Sequence, residues 1–109
     1  MQKSSTITER GMQMITLTNP SHPGEVLEEL FLQPLSMSAG ALAKRLDVPR
    51  TRIERLVKGE TTLTADTALR LSAFFGNTAE FWMNLQRAYD LAQARANLDV
   101  SGIEPLRAA

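Results

Sequence analysis

Apolar residues recur every three or four positions in five segments of the chain, and this spacing predicts five amphipathic helices. Residues that start or stop helices bound each segment. The first helix is predicted to begin at Pro23 and to stop at Pro34, because proline suits a first helical turn and interrupts a later one. The second is predicted to begin after Ser38, whose hydroxyl can accept a hydrogen bond from a free amide.

The remaining three helices are predicted over Pro49–Gly59, over Thr64–Gly76, and from Asn77 or Thr78 to about Asn97. Threonine is a good N-cap, and glycine often ends a helix because it adopts the left-handed conformation. Short connections between helices favour an all-α fold, a five-helix bundle. The positions of the last two helices that are predicted to face inward are Ala68, Leu69, Leu71, Phe74, Phe75, Phe81, Trp82, Leu85, Ala88, Tyr89 and Ala92.

The two short helices on either side of Asp47 have the residue pattern of a helix-turn-helix, from about Ser38 to Lys58. Two helices that cross steeply need a small residue where they meet, and Ala43 supplies it. The turn position four residues later needs a left-handed backbone, which aspartate is one of the few side chains to tolerate. The apolar positions around the crossing are filled by Leu42, Leu46, Val48, Ile53 and Leu56.

The second helix of this motif is predicted to enter the DNA major groove by its N-terminal end. Arg50, Thr51 and Arg55 are then the predicted base contacts, since arginine can bind guanine O6 and N7 together. Glu54 is predicted to pair with Arg50 or Lys58 along the helix, in preference to binding a cytosine amino group.

The charge of the chain is distributed unevenly. Twelve Lys and Arg balance twelve Asp and Glu, yet residues 38–60 contain six basic and three acidic side chains. A local excess of positive charge is what attraction to phosphates requires. The predicted phosphate contacts are Ser38, Lys44, Arg52 and Lys58.

Composition narrows the function classes further. A hydrophobic fraction of 43% with 22% charged residues is typical of a globular domain. The chain has no cysteine and one histidine, so a thiolate site or a disulfide is excluded, and neither a metal nor another cofactor is expected. No apolar run is long enough for a membrane span or a signal peptide, which predicts a cytoplasmic protein that does not bind membranes. No arrangement of side chains predicts a catalytic site, so an enzyme is not expected.

Three stretches carry a resemblance to a known family: HPGEVLEELFLQPL, LAKRLDVPRTRIERLVKGE and TLTADTALRLSAFFGNTAEFWMNLQRAYDL. They resemble the HigA-type antitoxins of the phage-repressor-like (Cro/C1) helix-turn-helix superfamily. The resemblance implies a lambda-repressor-like DNA-binding fold and a homodimer that binds operator DNA and represses its own operon. It also implies a cognate toxin as partner, a small ribosome-dependent enzyme that cleaves mRNA and that the antitoxin blocks.

The superfamily's base-contacting positions correspond to Arg50, Thr51 and Arg55 of this chain, and its phosphate-contacting positions to Ser38, Arg52 and Lys58. Two alternatives stay open: a stand-alone transcriptional repressor, and a protein–protein inhibitor whose helix-turn-helix is only a scaffold.

The predicted domain organisation is a flexible tail over residues 1–19, a helix-turn-helix domain over 20–97 and a C-terminal tail over 98–109. A short extended piece is predicted at Met14–Leu17 in the first tail. Met83 and Leu91 lie off the main apolar stripe of the last helix, so they are predicted to stay exposed and to form the dimer interface.

Three other patterns have a structural and a functional interpretation. His22 could be a general base, but its position before Pro23 favours a capping or packing role. Glu25, Glu28 and Glu29 favour an acidic helix start over a metal site. The aromatic residues of the last two helices are predicted to be core residues, not a platform for stacking nucleic-acid bases.

Overall fold

The computed structural model describes residues 19–107, and this part of the chain forms five helices. The predicted all-α, five-helix architecture is therefore confirmed. The predicted N-terminal tail, apart from residue 19, and the extended piece at Met14–Leu17 lie outside the described residues. The helices are α1 (residues 23–35), α2 (Ala39–Leu46), α3 (Arg50–Val57), α4 (Ala65–Phe75) and α5 (Ala79–Asn97).

Helix α1 includes Pro34 and ends one residue later at Leu35, with Ser36 as its C-cap, so the predicted stop at Pro34 is wrong by one residue. Its middle, Leu27–Leu32, is a π-helix, in which the Gln33 amide donates to the carbonyl of Glu28 five residues earlier. Proline normally collides with the carbonyl four residues before it and leaves that carbonyl unpaired. The wider π turn shifts the hydrogen-bond register just ahead of the proline, so the helix passes through it.

The predicted N-caps are confirmed. Ser38, Thr64 and Thr78 each accept a hydrogen bond on the side-chain oxygen from the amide three residues later, at 3.0, 3.4 and 3.0 Å. Asp47 ends α2 in the left-handed conformation with φ 61°, as the helix-turn-helix pattern predicts, and Gly76 ends α4 with φ 79°. Local sequence chemistry thus fixes where these helices begin and end.

One apolar core unites the five helices, and Trp82 of α5 lies at its centre, fully buried. Its ring packs 4.9 Å from that of Phe31, and its indole nitrogen donates to Asn77 Oδ1 at 2.9 Å. The remaining predicted aromatic residues are half-buried against this core. Leu69 is 61% exposed, so its predicted inward position is wrong. The helical rotation of about 100° per residue turns it away from the face that buries its neighbours Ala68 and Leu71.

Helix α1 approaches the end of α3 so closely that only glycine fits at the contact. Gly24 is buried, and a Cβ added there would lie 1.7 Å from the carbonyl oxygen of Leu56 and 2.9 Å from Cα of Val57. Both atoms belong to backbone, which cannot rotate away. The contact therefore sets how α1 rests on the helix-turn-helix.

We expect Gly24→Ala to destabilise the protein by about 3 kcal/mol, the upper part of the usual range for overpacking. Gly40→Ala is the matched control, because its Cβ would meet only the flexible side chain of Arg50, with Cδ at 2.9 Å. Alanine is also a better helix-forming residue than glycine, so the control should keep its stability. Urea unfolding of both variants measures the difference. Equal midpoints for Gly24→Ala and the parent would contradict the close approach.

His22 caps the start of α1, which confirms its predicted structural role. Its Nδ1 accepts a hydrogen bond from the Gly24 amide at 2.9 Å, and its ring meets the ring of Tyr89 edge-on at 5.0 Å. Burial lowers the pKa of His22 below 6.5, against the smaller raising effects of the Thr61 backbone, Asp90 and Glu25. Because a neutral Nδ1 is also the acceptor of the cap, the folded protein favours neutral histidine.

The sign of the pH dependence follows from this lowered pKa. Below pH 6.5 the unfolded chain binds a proton at His22 that the folded chain resists, so stability falls until the folded pKa is reached. His22→Asn keeps a capping side chain without a titrating group. We expect its melting temperature to fall less than the parent's between about pH 7.5 and about pH 5.5. Parallel falls in thermal melts would contradict the assignment.

Candidate nucleic-acid interface

The candidate interface is the outer face of α3. Ile53 and Leu56 turn inward and are buried, which fixes the rotation of the helix about its axis. Arg50, Thr51 and Arg55 consequently remain exposed. The three residues predicted from the sequence as base contacts thus lie together on the free surface of the predicted recognition helix.

Arg50 lies over the start of α2. Its side chain is 72% exposed, and its Nε lies 3.6 Å from the Glu54 carboxylate, so the predicted pairing of Glu54 with Arg50 is confirmed. The absence of a side chain on Gly40 leaves room for the Arg50 methylenes. The guanidinium therefore lies beside Glu54 while most of the side chain faces solvent.

A shallow cavity of about 400 Å³ opens beside Arg50. It is lined by Ser38 at the start of α2 and Lys44 in its last turn, together with Gly40 and Val48. The cavity brings together a predicted base contact and two predicted phosphate contacts. Lys58, the fourth predicted phosphate contact, is exposed at the opposite end of α3, where it caps the helix.

The Arg52 side chain is less exposed than that of Arg50. Its Nη1 donates to Asp66 Oδ1 at 2.8 Å, an ion pair that joins α3 to the first turn of α4. Sequence analysis predicted Arg52 as a phosphate contact and overlooked Asp66. No local signal marks this pairing, because the two residues are separated by 14 positions along the chain.

Arg70 extends this ion pair to a third helix. Its Nε donates to the same Asp66 oxygen at 2.7 Å, and its Nη1 donates to the carbonyl of Leu46 at 2.8 Å. The two arginines lower the pKa of Asp66, Arg70 more than Arg52, so this carboxylate is ionised at neutral pH. The spacing of Asp66 and Arg70 by four residues on α4 is the one signal that could have identified part of this cluster.

A second groove, of about 440 Å³, runs between α3 and the start of α4. Arg52, Arg55 and Asp66 lie along it, and Thr61 and Thr62 add hydroxyl groups that sequence analysis did not single out. Hydroxyls and guanidinium groups together suit contacts to phosphate oxygens.

Met83 and Leu91 are 37% and 44% exposed on α5, which confirms their predicted exposure. Leu98, Val100 and Ile103 of the segment after α5 are more exposed still. Within residues 19–107, no helix is both long and apolar enough to cross a membrane.

Comparisons with known proteins support the helix-turn-helix fold. The profile of the helix-turn-helix family matches residues 27–82. Virulence-associated protein I of Dichelobacter nodosus is 52% identical over 73 residues, covering 67% of this chain and 68% of that protein. Antitoxin HigA-1 of Vibrio cholerae is 41% identical over 80 residues, covering 73% of this chain and 75% of that protein. The structure of Pseudomonas aeruginosa antitoxin HigA with the higBA promoter superimposes with a TM-score of 0.77 at 40% identity, over 82% of this chain and 100% of that one.

Proposed function

Because the chain belongs to the HigA-type antitoxins of the helix-turn-helix superfamily, we propose that it binds operator DNA and represses its own operon. In the same proposal it neutralises a small ribosome-dependent toxin that cleaves mRNA. The observation that carries the DNA-binding part is the exposed set Arg50, Thr51 and Arg55 on the free face of α3. The solved relative bound to promoter DNA supports it.

The proposed mechanism places the N-terminal end of α3 in the major groove. Arg50 is held by Glu54 at 3.6 Å with its outer edge free, an arrangement suited to a guanine that offers O6 and N7 together. Thr51 offers a hydroxyl or a methyl group to the neighbouring base pair. Arg55 lies one helical turn further along the same face.

Phosphate contacts fix the position of such a helix without reading sequence. Ser38 and Lys44 line the cavity beside Arg50, and Lys58 lies at the other end of α3, so both ends of the helix carry an anchor. Arg52 was predicted for the same role, but its guanidinium is paired with Asp66 at 2.8 Å.

The remaining features of the proposal concern the whole protein. We place DNA binding in residues 20–97, with residues 98–109 as a C-terminal tail, and we propose a cytoplasmic binding protein without catalytic activity.

The repressor function is tested by comparing the affinity of the protein for duplex DNA from upstream of its own coding sequence with its affinity for random duplex. Co-expression with the product of the neighbouring reading frame tests toxin neutralisation. Equal affinity for both duplexes would overturn the repressor function.

We expect Arg50→Ala to lower operator affinity by ~1–3 kcal/mol and to relax preference at one base pair, since it removes a bidentate base contact. Lys58→Ala should instead weaken binding to all duplexes alike and reduce the salt slope by about one, since it removes a phosphate contact. Fluorescence anisotropy at several salt concentrations measures both effects. If the two variants behave identically, the division into base and phosphate contacts is wrong.

We further propose a two-fold homodimer through α5, with Met83 or Leu91 of one copy against α5 of the other. One helix-turn-helix contacts few base pairs, and such modules gain affinity by pairing on half-sites about 34–36 Å apart. Both side chains are partly exposed on a helix whose neighbouring residues Trp82 and Leu85 are buried, so apolar surface is left over for a partner.

Changing Met83 and Leu91 together to glutamate should give a folded monomer with greatly weakened operator binding, because charged side chains would have to be buried at the interface. Leu106→Glu is the matched control, since Leu106 is 96% exposed and lies outside α5. Light scattering at roughly tens of micromolar measures the assembly. A monomeric parent, or a dimeric double variant, would place the interface elsewhere.

A further inference from the structure

We propose that Asp66 is a specificity-determining residue that holds Arg52 away from DNA phosphates; this inference rests on the DNA-binding function proposed above. The side-chain hydrogen bonds that Asp66 accepts come from Arg52 and Arg70, and neither of these belongs to the predicted base-reading set. Asp66 acts through Arg52, the cation that lies between Arg50 and Arg55 on α3. In this role the Asp66 carboxylate accepts the hydrogen bond that the Arg52 guanidinium would otherwise donate to a DNA phosphate.

The geometry of the pair carries the proposal. Asp66 Oδ1 accepts from Arg52 Nη1 at 2.8 Å and from Arg70 Nε at 2.7 Å, so one oxygen receives two charged donors. Arg70 is held in turn by the Leu46 carbonyl at 2.8 Å. Arg70 thus holds Asp66 in place on α4. Asp66 in turn keeps the Arg52 side chain directed to α4 and away from bound DNA.

Stabilisation of the fold does not account for this arrangement. The side chains of Arg52, Asp66 and Arg70 are 41%, 56% and 39% exposed, and because solvent screens ion pairs of such exposure, these pairs contribute little to stability. None of the three side chains belongs to the buried apolar core. The cluster therefore acts mainly on the charge that α3 presents at its surface.

Restraining one cation affects the two kinds of DNA complex differently. Non-specific binding is essentially all electrostatic, so a free Arg52 would reach the nearest phosphate on any duplex and strengthen every such complex. In the operator complex the base contacts fix the register of α3, and only phosphates at set positions are within reach. Freeing Arg52 therefore raises non-specific affinity more than operator affinity, and the ratio between them falls.

Asp66→Asn tests this proposal, because asparagine has the same shape without the charge. We expect affinity for random duplex to rise several-fold, its salt slope to steepen by about one, and the operator-to-random ratio to fall. Glu60→Gln is the matched control: it removes one negative charge close to α3, and among the described residues Glu60 forms no ion pair. Asp66→Glu should keep the operator-to-random ratio of the parent, because the carboxylate remains. Adding Arg52→Gln to Asp66→Asn should abolish the gain in affinity for random duplex.

Arg52→Gln alone gives a second, independent measurement. If Asp66 holds Arg52 in the parent, this variant leaves the salt slope for random duplex unchanged. A slope reduced by about one would show Arg52 on a phosphate already and would overturn the inference. Weaker binding of Asp66→Asn to both duplexes at an unchanged slope would also overturn it, leaving Asp66 as a brace for α3. A parent that binds its own upstream DNA no better than random duplex would instead overturn the proposed repressor function, and this inference with it.

Discussion

The crossing of α2 and α3 is the constraint on which the rest of the molecule depends. Ala43 is 1% exposed at that crossing, and its small side chain lets the two helices approach. Asp47 turns the chain with φ 61°, and the Val48 amide closes the turn on the Ala43 carbonyl at 3.0 Å. A larger residue at the crossing would overpack it, and relief would require a shift of α2 or of α3, which carries the side chains of the candidate interface.

The surrounding helices preserve this crossing by contacts between backbone and backbone or between buried polar groups. Gly24 lets α1 rest directly on the Leu56 carbonyl at the end of α3. Gln86 of α5 is buried, and its side-chain oxygen accepts from the Leu63 amide at 2.7 Å in the loop that follows α3. Such contacts tolerate little displacement of the helices, because a shift would make backbone atoms collide or would leave a buried polar group without its hydrogen-bond partner. The interface therefore rests on a rigid support.

The sequence predicts those features that are encoded within a few residues. The caps at Ser38, Thr64 and Thr78, the left-handed Asp47 and the exposed face of α3 all follow from local spacing and side-chain chemistry. Features that arise between distant segments are not predictable in this way. The ion pair of Arg52 with Asp66 depends on how α4 packs beside α3, and no periodic pattern encodes it. The passage of α1 through Pro34 likewise depends on a π turn, for which the sequence carries no recognised signal.

A protein of zero net charge can still present positive charge to DNA if some of its basic side chains are exposed while others are paired with carboxylates. Arg50 keeps an open outer edge although Glu54 lies 3.6 Å away, whereas Arg52 meets Asp66 at 2.8 Å. The shorter contact holds the Arg52 guanidinium more closely to a carboxylate, although that carboxylate also pairs with Arg70. Two arginines on the same helix thus differ in how closely a carboxylate pairs with them. On the proposed function, the count of basic residues alone would overstate the attraction of α3 for phosphates. Selectivity for an operator would then depend on where acidic side chains restrain cations as much as on which cations reach the bases.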